Sequence, residues 1–385
     1  MNKSEREKFL AELIKADTAG GFEDRVALLL GKAFKKHKIN FKLIPLENGR
    51  SDFYAQIGEK KGKVLAFTGH QDVVKPGDAA DWKFPPFSAH VENGKMFGRG
   101  AADMKSGLAA MSLAMMELVD EKVALKGELK FLGTVGEESS KVNHMQGAQR
   151  FSSEGYVDDI DALVVGEPTD GNIIFTHKGS VTYEVDSKGL AAHSSTPEKG
   201  YDAIKPLVRF YELQEKYFET LTEKNKYLRR TTPVVTRIEG GEQLNSVPDK
   251  ASMFVKIRTI PEIPNKTIFE NAEKMIKQIN QAYGAKLSLK ILGDKASVFT
   301  NPQDDFINFL DSLAREKLTK RPKLLGISGD TDASEMTKVN SKMAVAVFGP
   351  GSETSHQINE YVDLNQFNNF VDLYKSAAKK YLGVE

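Results

Sequence analysis

Short apolar runs of strand length, separated by helical patterns, constrain the fold of residues 1–180 more than any other feature. The helical patterns cover residues 4–16 and 22–36. The apolar runs are Phe41–Pro45, Val64–Thr68, Leu129–Thr134 and Ala162–Gly166. Runs of this kind between helices are typical of a parallel or mixed sheet that is buried on both faces. We therefore predict an α/β fold, in which a mostly parallel mixed sheet is flanked by helices.

A different pattern begins near residue 180. A strand, a helix, two strands, a helix and a last strand are predicted at Val181–Ser187, Tyr201–Thr220, Val234–Glu239, Ala251–Thr259, Thr267–Tyr283 and Lys286–Ile291. This β-α-β-β-α-β order is that of a ferredoxin-like α+β domain. The helix–strand alternation resumes after residue 292. The sequence thus predicts a large domain of residues 1–179 and 293–385, with a smaller domain of residues 180–292 inserted into it.

Composition and charge exclude several classes of protein. The 385 residues carry 54 Lys and Arg against 53 Asp and Glu, whereas nucleic-acid binders usually have a marked positive excess. Cysteine is absent, which excludes disulfides, thiolate nucleophiles and Cys-ligated metals. No apolar run approaches the roughly 18 residues of a membrane span, and the segment MNKSEREKFLAELI lacks the apolar core of a signal peptide. We expect a cytoplasmic protein that binds neither nucleic acid nor membranes.

Five short segments place histidines and acids at or beside the ends of predicted strands. They contain His70 and Asp72, Asp103, the pair Glu137-Glu138, Glu167 and, in a glycine-rich loop, His356. Each segment alone has an ordinary explanation. Asp103 precedes an apolar helix and could be its N-cap, adjacent acids are common in surface loops, and a histidine in a loop need not bind anything.

Taken together, the five segments predict a metal site. In open α/β sheets, ligands bind outside the carboxyl ends of the strands. Two histidines and three carboxylates without cysteine suit a pair of zinc-type ions. His70 and Asp72 point the same way on an extended backbone, so Asp72 has the spacing to accept the second ring N–H of a metal-bound His70. Three carboxylates, two divalent cations and a bridging hydroxide also give a neutral cluster, as in a dinuclear hydrolase.

The chain resembles a known family of dinuclear-zinc amidohydrolases, which includes succinyl-diaminopimelate desuccinylase, acetylornithine deacetylase, aminoacylase and glutamate carboxypeptidase. The segments that carry the resemblance are GHQDVV, PPFSAHVENGKMFGRGAADMKSGLAA, TVGEESS, VVGEPTD, HKGSVTYEVDSKGLAAHSSTPEKGYDAI, LNSVPDKASMFVKIR and PGSETSHQINEYV. They run from about residue 65 to residue 365 in the order of the family. The segments GEPTD and HKG indicate its desuccinylase and deacetylase branch.

The resemblance implies a role for individual residues. His70 and Glu167 would bind one metal ion, Glu138 and His356 the other, and Asp103 would bridge the two. Glu137 would be the general base, and Asp72 would orient His70. His193 would help to hold the oxyanion, in dimeric members from the other subunit. The implied substrate-binding residues are Asn245, Arg258, Ser328, Gly329 and Thr331.

The activity that the resemblance implies is hydrolysis of the amide bond of a small N-acyl-amino acid by two divalent ions. Zn²⁺ is the expected metal, with Co²⁺ or Mn²⁺ as alternatives, and the chain is expected to form a homodimer through residues 180–292. Succinyl-diaminopimelate desuccinylase of the lysine pathway is the first expectation. An acetylornithine deacetylase-like deacylase, a metallo-dipeptidase or carboxypeptidase, and a catalytically inactive metal-binding relative are the alternatives. The segment Ala333–Met336 departs from the family, because Ser334 and Glu335 stand where desuccinylases carry an arginine.

Overall fold

The computed structural model describes residues 1–46, 49–138 and 145–384. Within these ranges the helices are α1 Lys3–Lys15, α2 Asp24–Lys36, α3 Lys105–Asp120, α4 Gln146–Ser153, α5 Ile204–Thr220, α6 Asn265–Tyr283, α7 Asp305–Lys317, α8 Ala333–Val339 and α9 Leu364–Tyr381. The strands are β1 Phe41–Pro45, β2 Ser51–Gly58, β3 Val64–His70, β4 His90–Glu92, β5 Lys95–Phe97, β6 Glu128–Thr134, β7 Ala162–Pro168, β8 Ile173–His177, β9 Gly179–Lys188, β10 Thr232–Gly240, β11 Lys250–Thr259, β12 Leu287–Lys295, β13 Val298–Phe299, β14 Leu324–Ile327, β15 Ala344–Gly349 and β16 Tyr361–Asp363. None of the helices in the described part of the chain is both long enough and apolar enough to cross a membrane.

The chain divides into two compact units. The first comprises Met1–Phe175, Phe299–Leu325 and Thr331–Glu385, and the second comprises Thr176–Val298 and Gly326–Asp330. The second unit contains all of residues 180–292 and extends a few residues beyond them at each end. It also takes in Gly326–Asp330, a segment that the sequence assigns to the large domain. The reason is local pairing, because the backbone N–H of Lys178 donates to the carbonyl of Ile327 at 3.1 Å.

The large sheet confirms the predicted fold class. Its nine strands follow the order β1-β2-β6-β3-β7-β15-β8-β13, with β14 beside β8. The four central strands, β6, β3, β7 and β15, are parallel to one another, whereas β1 and β2 at one side are antiparallel. Every residue of β3 and β6 is buried, as expected for strands that are covered on both faces.

Helix α3 packs directly on the centre of this sheet. It contacts β3 and β7 on one side and α9 on the other, and it is buried along almost its whole length. A Cβ atom at Gly107 would lie 1.8 Å from the carbonyl oxygen of Gly166 in β7. Only glycine therefore lets α3 approach the strand so closely, and this approach brings the residues in front of α3 to the ends of the central strands.

The second unit has the topology that the sequence predicts for its β-α-β-β-α-β segment. Its sheet follows the order β10-β11-β9-β12, and each neighbouring pair is antiparallel. Alternate side chains of β9 and β11, among them Val181, Tyr183, Met253 and Val255, form a buried core with residues of α5 and α6. This alternation is typical of a sheet that is covered by helices on one face.

Replacing Gly107 with alanine should lower the free energy of unfolding by about 1–3 kcal/mol, the usual effect of overpacking a core. The new methyl group would overlap the Gly166 carbonyl, which belongs to a central strand and cannot move aside. Urea unfolding of the variant measures the change.

Gly31→Ala in α2 is the matched control. Its methyl group would meet the ring of Phe41 at 2.9 Å, and a side chain can shift where a backbone cannot. Alanine also favours the helix by roughly 0.5–1 kcal/mol, so this variant should unfold at nearly the wild-type urea concentration. An equal loss of stability in the two variants would contradict the packing argument.

Candidate metal centre

The central parallel strands carry chemically active residues where they end. His70 is the last residue of β3, Glu137 and Glu138 follow β6, and Glu167 lies near the end of β7. Strand β15 runs into the glycine-rich loop that contains His356. Because parallel strands end at the same edge of a sheet, four separate segments of the chain meet here, at the edge where open α/β sheets bind their ligands.

The carboxylate of Asp103 lies between the two histidines. Its Oδ1 is 3.1 Å from Nε2 of His70, and its Oδ2 is 3.5 Å from Nε2 of His356. Oε1 of Glu167 is 3.5 Å from the His70 nitrogen, and Oε1 of Glu138 is 2.6 Å from the His356 nitrogen. Each oxygen of Asp103 therefore faces one histidine–glutamate pair. Asp103 does not act as the N-cap of α3, because the residue in front of that helix is Met104.

The donor set fits a pair of divalent cations. Asp103 and Glu167 are both mostly buried. Burial, and after it the neighbouring Asp103 carboxylate, raises the pKa of Glu167 well above its usual range. Like-charged groups can remain this close only with a proton or a cation among them. Two imidazoles and three carboxylates without a thiolate are ligands that suit Zn²⁺ and similar ions.

The electrostatic potential at the histidines also favours cations. Burial opposes protonation of His70, but Glu167, Asp103 and Asp72 outweigh it and raise the pKa of His70 well above its usual value. The hydrogen bond with Glu138 raises the pKa of His356. An environment that stabilises the protonated form of two imidazoles is negative enough to attract metal ions, which would replace those protons.

Asp72 differs from the expectation in one respect. The N–H at Nδ1 of His70 donates to the backbone carbonyl of Asp72 at 2.9 Å, whereas the carboxylate of Asp72 is 3.8 Å from that nitrogen. The carboxylate instead accepts the backbone N–H groups of Glu137 at 3.2 Å and Glu138 at 2.9 Å. The carbonyl thus fixes the His70 tautomer with Nε2 toward Asp103, and the carboxylate holds the loop of the two glutamates. The spacing of His70 and Asp72 in the sequence does not show whether the backbone carbonyl or the carboxylate of Asp72 accepts the N–H of His70.

Two residues without a predicted role lie next to the site. Glu360 and Arg99 form a buried ion pair with a separation of 2.5 Å, and Glu360 accepts the backbone N–H of Asp103. Both residues fall within segments that carry the family resemblance. The feature of the sequence that could have indicated Glu360 is the acid four residues after His356, in the segment HQINE.

Two predicted residues lie close to each other within the second unit. His193 is exposed, and its Nδ1 is 2.7 Å from Oγ of Ser195. The backbone N–H of Ser194 donates to the carbonyl of Asn245 at 2.9 Å, and His193 forms a β-bridge with Ser246. The fold therefore places His193 and Asn245 on adjacent segments, and their roles in catalysis and binding stay predictions.

Arg258 binds an acid of its own unit. Its guanidinium contacts the carboxylate of Asp330, and Nζ of Lys295 lies 3.0 Å from the same carboxylate. Burial opposes the effect of these cations, but Lys295 and Arg258 hold the pKa of Asp330 below its usual range. In the register of the sheet, Arg258 and Lys295 lie on either side of Ser180.

The remaining predicted substrate-binding residues lie on both sides of Asp330. Ser328 and Gly329 form an exposed bend directly before it. Thr331 is buried, and its hydroxyl accepts the backbone N–H of Ala333 at the start of α8. In the segment that departs from the family, Glu335 is buried and its carboxylate pairs with Lys338 at 2.9 Å.

Comparisons with known proteins agree with this geometry. Residues 66–380 match the model of Peptidase family M20/M25/M40. A probable succinyl-diaminopimelate desuccinylase from Staphylococcus epidermidis is 32% identical in an alignment that covers 99% of each chain. A protein of the same name from Staphylococcus aureus is 33% identical in an alignment that covers 98% of each chain.

A solved structure from Bacillus subtilis, described as a dinuclear metal binding peptidase from the M20 family, superimposes with a TM-score of 0.74. The identity is 16%, and the superposition covers 99% of this chain and 98% of that one. The fold is therefore the same, and the family match extends over most of the chain. The predicted resemblance is confirmed: the chain belongs to Peptidase family M20/M25/M40.

Proposed function

We propose that the protein is a metal-dependent amidohydrolase that removes the succinyl group from N-succinyl-diaminopimelate. The observation that carries the reaction class is the position of Asp103, whose two oxygens face two separate histidine–glutamate pairs. The desuccinylase names of two relatives that match nearly the whole chain support the substrate.

Five residues would bind two divalent ions, which we propose to be Zn²⁺. His70 and Glu167 would bind one ion, Glu138 and His356 the other, and Asp103 both. When bound, such ions polarise the scissile carbonyl and lower the pKa of a water molecule. The protein's own part is to hold its ligands in place, to position the substrate and to move the proton.

Glu137 would be the general base. Its backbone N–H is bound to Asp72, and its charge contributes to the raised pKa of Glu167, so it lies near the cluster without belonging to the five ligands. In this role it accepts a proton from the attacking water and transfers it to the leaving amine. His193 would donate a hydrogen bond to the oxyanion.

The charge of the second unit supports an anionic substrate. Arg258 and Lys295 share the single carboxylate of Asp330, which leaves one positive charge in excess. Diaminopimelate with a succinyl group carries several carboxylates, and an arginine can bind one of them through two parallel hydrogen bonds. Asn245, Ser328, Gly329 and Thr331 would contribute further contacts.

The second unit also supports our proposal of a homodimer. Strand β10 lies at an edge of its sheet, and Val234 and Ile238 on this strand are 57% and 54% exposed. An exposed apolar edge strand can pair with another strand, and a second copy of the same strand across a two-fold axis is the simplest partner. In such a dimer, His193 of one subunit would complete the site of the other.

The substrate is tested with a panel of amides. The zinc-loaded protein should release succinate from N-succinyl-diaminopimelate with a kcat/KM at least about tenfold above that for N-acetylornithine or a dipeptide, since these smaller substrates carry fewer carboxylates that Arg258 can bind. Removal of the metal with a chelator should abolish turnover, and Zn²⁺ or Co²⁺ should restore it. A preference for a dipeptide would replace the substrate that we propose but not the reaction class.

Glu137 and Glu138 should differ in function although they are adjacent. Glu137→Ala should keep both ions and lose at least about 10²-fold in kcat, the lower range for removal of a general base. Glu138→Ala should lose one ion, because its carboxylate is the closest partner of His356. Metal analysis per chain, together with kcat, separates the two roles. Equal metal loss in both variants would show that we have assigned the roles incorrectly.

A complementation experiment tests the shared site. An equal mixture of His193→Ala and Glu137→Ala proteins should regain about a quarter of wild-type activity after subunit exchange, because half of the dimers are mixed and each has one intact site. A mixture of Glu137→Ala and Glu138→Ala is the control. It should stay inactive, since each substitution affects the site of its own subunit and a mixed dimer has no intact site. An inactive first mixture with proven exchange, or a monomer in sedimentation, would exclude the shared site.

A further inference from the structure

Glu360 occupies a closed pocket of hydrogen-bond donors between the His356 loop and β16. Its side chain is completely buried. Oε1 accepts the backbone N–H groups of Ala102 at 2.8 Å and Asp103 at 2.9 Å. Oε2 accepts hydrogen bonds from the backbone N–H of Gly100 at 3.1 Å and from the N–H at Nη1 of Arg99 at 2.5 Å. Both oxygens of one carboxylate therefore bind the segment that leads to Asp103.

Arg99, the partner of Glu360, also contacts the loop that contains His356. Nη2 of Arg99 donates to the backbone carbonyl of His356 at 3.3 Å. His356 has a positive φ of 64°, a conformation that side-chain-bearing residues adopt only with support from their surroundings. Its side chain is half exposed, so packing does little to hold it. The contact with Arg99 is therefore part of what fixes the loop.

We infer that Glu360 is a positioning residue of the metal centre: with Arg99, it fixes the backbone of Asp103 and of His356 relative to each other. The inference rests on the proposed metal centre. Neither residue is one of the five proposed ligands, and their effect would pass through Asp103 and His356. Partners of this kind, one step removed from a metal, set the orientation of its ligands.

Charge explains why an acid is needed at this position. Four donors converge on Glu360, one of them a guanidinium, and a carboxylate has enough lone pairs to accept from all of them. Arg99 is itself buried and lies over the ring of Trp82 at 5.1 Å. A buried guanidinium requires an anionic partner, so the pair can serve as a rigid clamp between the two ligand segments.

The Glu360→Gln variant tests this directly. Glutamine has the same shape, but its single acceptor oxygen cannot serve four donors, and its NH₂ group would face the N–H groups of Gly100 or Arg99. The affinity of the metal-free protein for Zn²⁺ should fall by about 10–100-fold at one site or both, the range for loss of such a partner. Competition with a chromophoric chelator measures this without any substrate.

Glu117→Gln is the matched control. Glu117 is a buried glutamate of the same unit, and it binds Arg6 at 2.7 Å and Lys375 at 2.8 Å. Loss of either buried charge, in Glu117→Gln or in Glu360→Gln, should lower the melting temperature of the metal-free protein. Only Glu117→Gln should leave zinc affinity unchanged. Wild-type zinc affinity in Glu360→Gln, or an equal loss in both variants, would overturn the inference.

If Glu360→Gln does not fold, the variant Arg99→Lys tests whether the Glu360–Arg99 pair positions the proposed metal ligands. Lysine keeps the charge opposite Glu360 but lacks the fork that reaches both Glu360 and the carbonyl of His356. Weaker zinc binding supports the inference, and wild-type binding overturns it. Because zinc affinity is read without substrate, weak binding in these variants supports the inference even if the wild-type protein releases no succinate.

Discussion

Repulsion among buried carboxylates is the constraint on which the rest of the structure depends. Asp103 and Glu167 lie side by side, and Glu137 and Glu138 add their charge to the same small volume. Free side chains with this composition would separate or take up protons. Here each acid lies near the end of a strand or shortly before a helix, so the fold keeps the negative potential concentrated. Divalent cations would relieve that potential, so the repulsion among these acids would become affinity for metal.

Two acids outside the set of proposed ligands accept hydrogen bonds from the backbone of the segments that carry those ligands. The carboxylate of Asp72 accepts backbone N–H groups of the loop that carries Glu138, and the carboxylate of Glu360 accepts those of the segment that carries Asp103. Hydrogen bonds from backbone N–H groups to an ionised acid are stronger than neutral ones. Asp72 and Glu360 thus each fix the backbone of one segment of the site.

The sequence predicts those parts of the molecule that depend on local patterns. Continuous apolar runs identify the central strands, and the acids and histidines that follow them predict the metal ligands that we propose. Strand β2 is not recognised, because Ser51 and Asp52 at its start are polar although both are buried. The role of Glu360 depends on contacts between residues that are 258 positions apart. Only the folded chain brings such partners together, and the same applies to the membership of Gly326–Asp330 in the second unit.

The acid in the second unit changes how an anionic substrate can be bound there. Arg258 already has a partner in Asp330, so a substrate carboxylate that binds the guanidinium must displace or share that partner. Loss of this partly buried ion pair without replacement is unfavourable for the Asp330 carboxylate. Lys295 also contacts Asp330 and can keep it paired when Arg258 binds the substrate. The contribution of Arg258 to the binding free energy is then the free energy of its ion pair with the substrate minus that of its ion pair with Asp330. Neutral amides would gain nothing from this exchange, so under our proposal these three residues would select for the charge of the substrate rather than for its size.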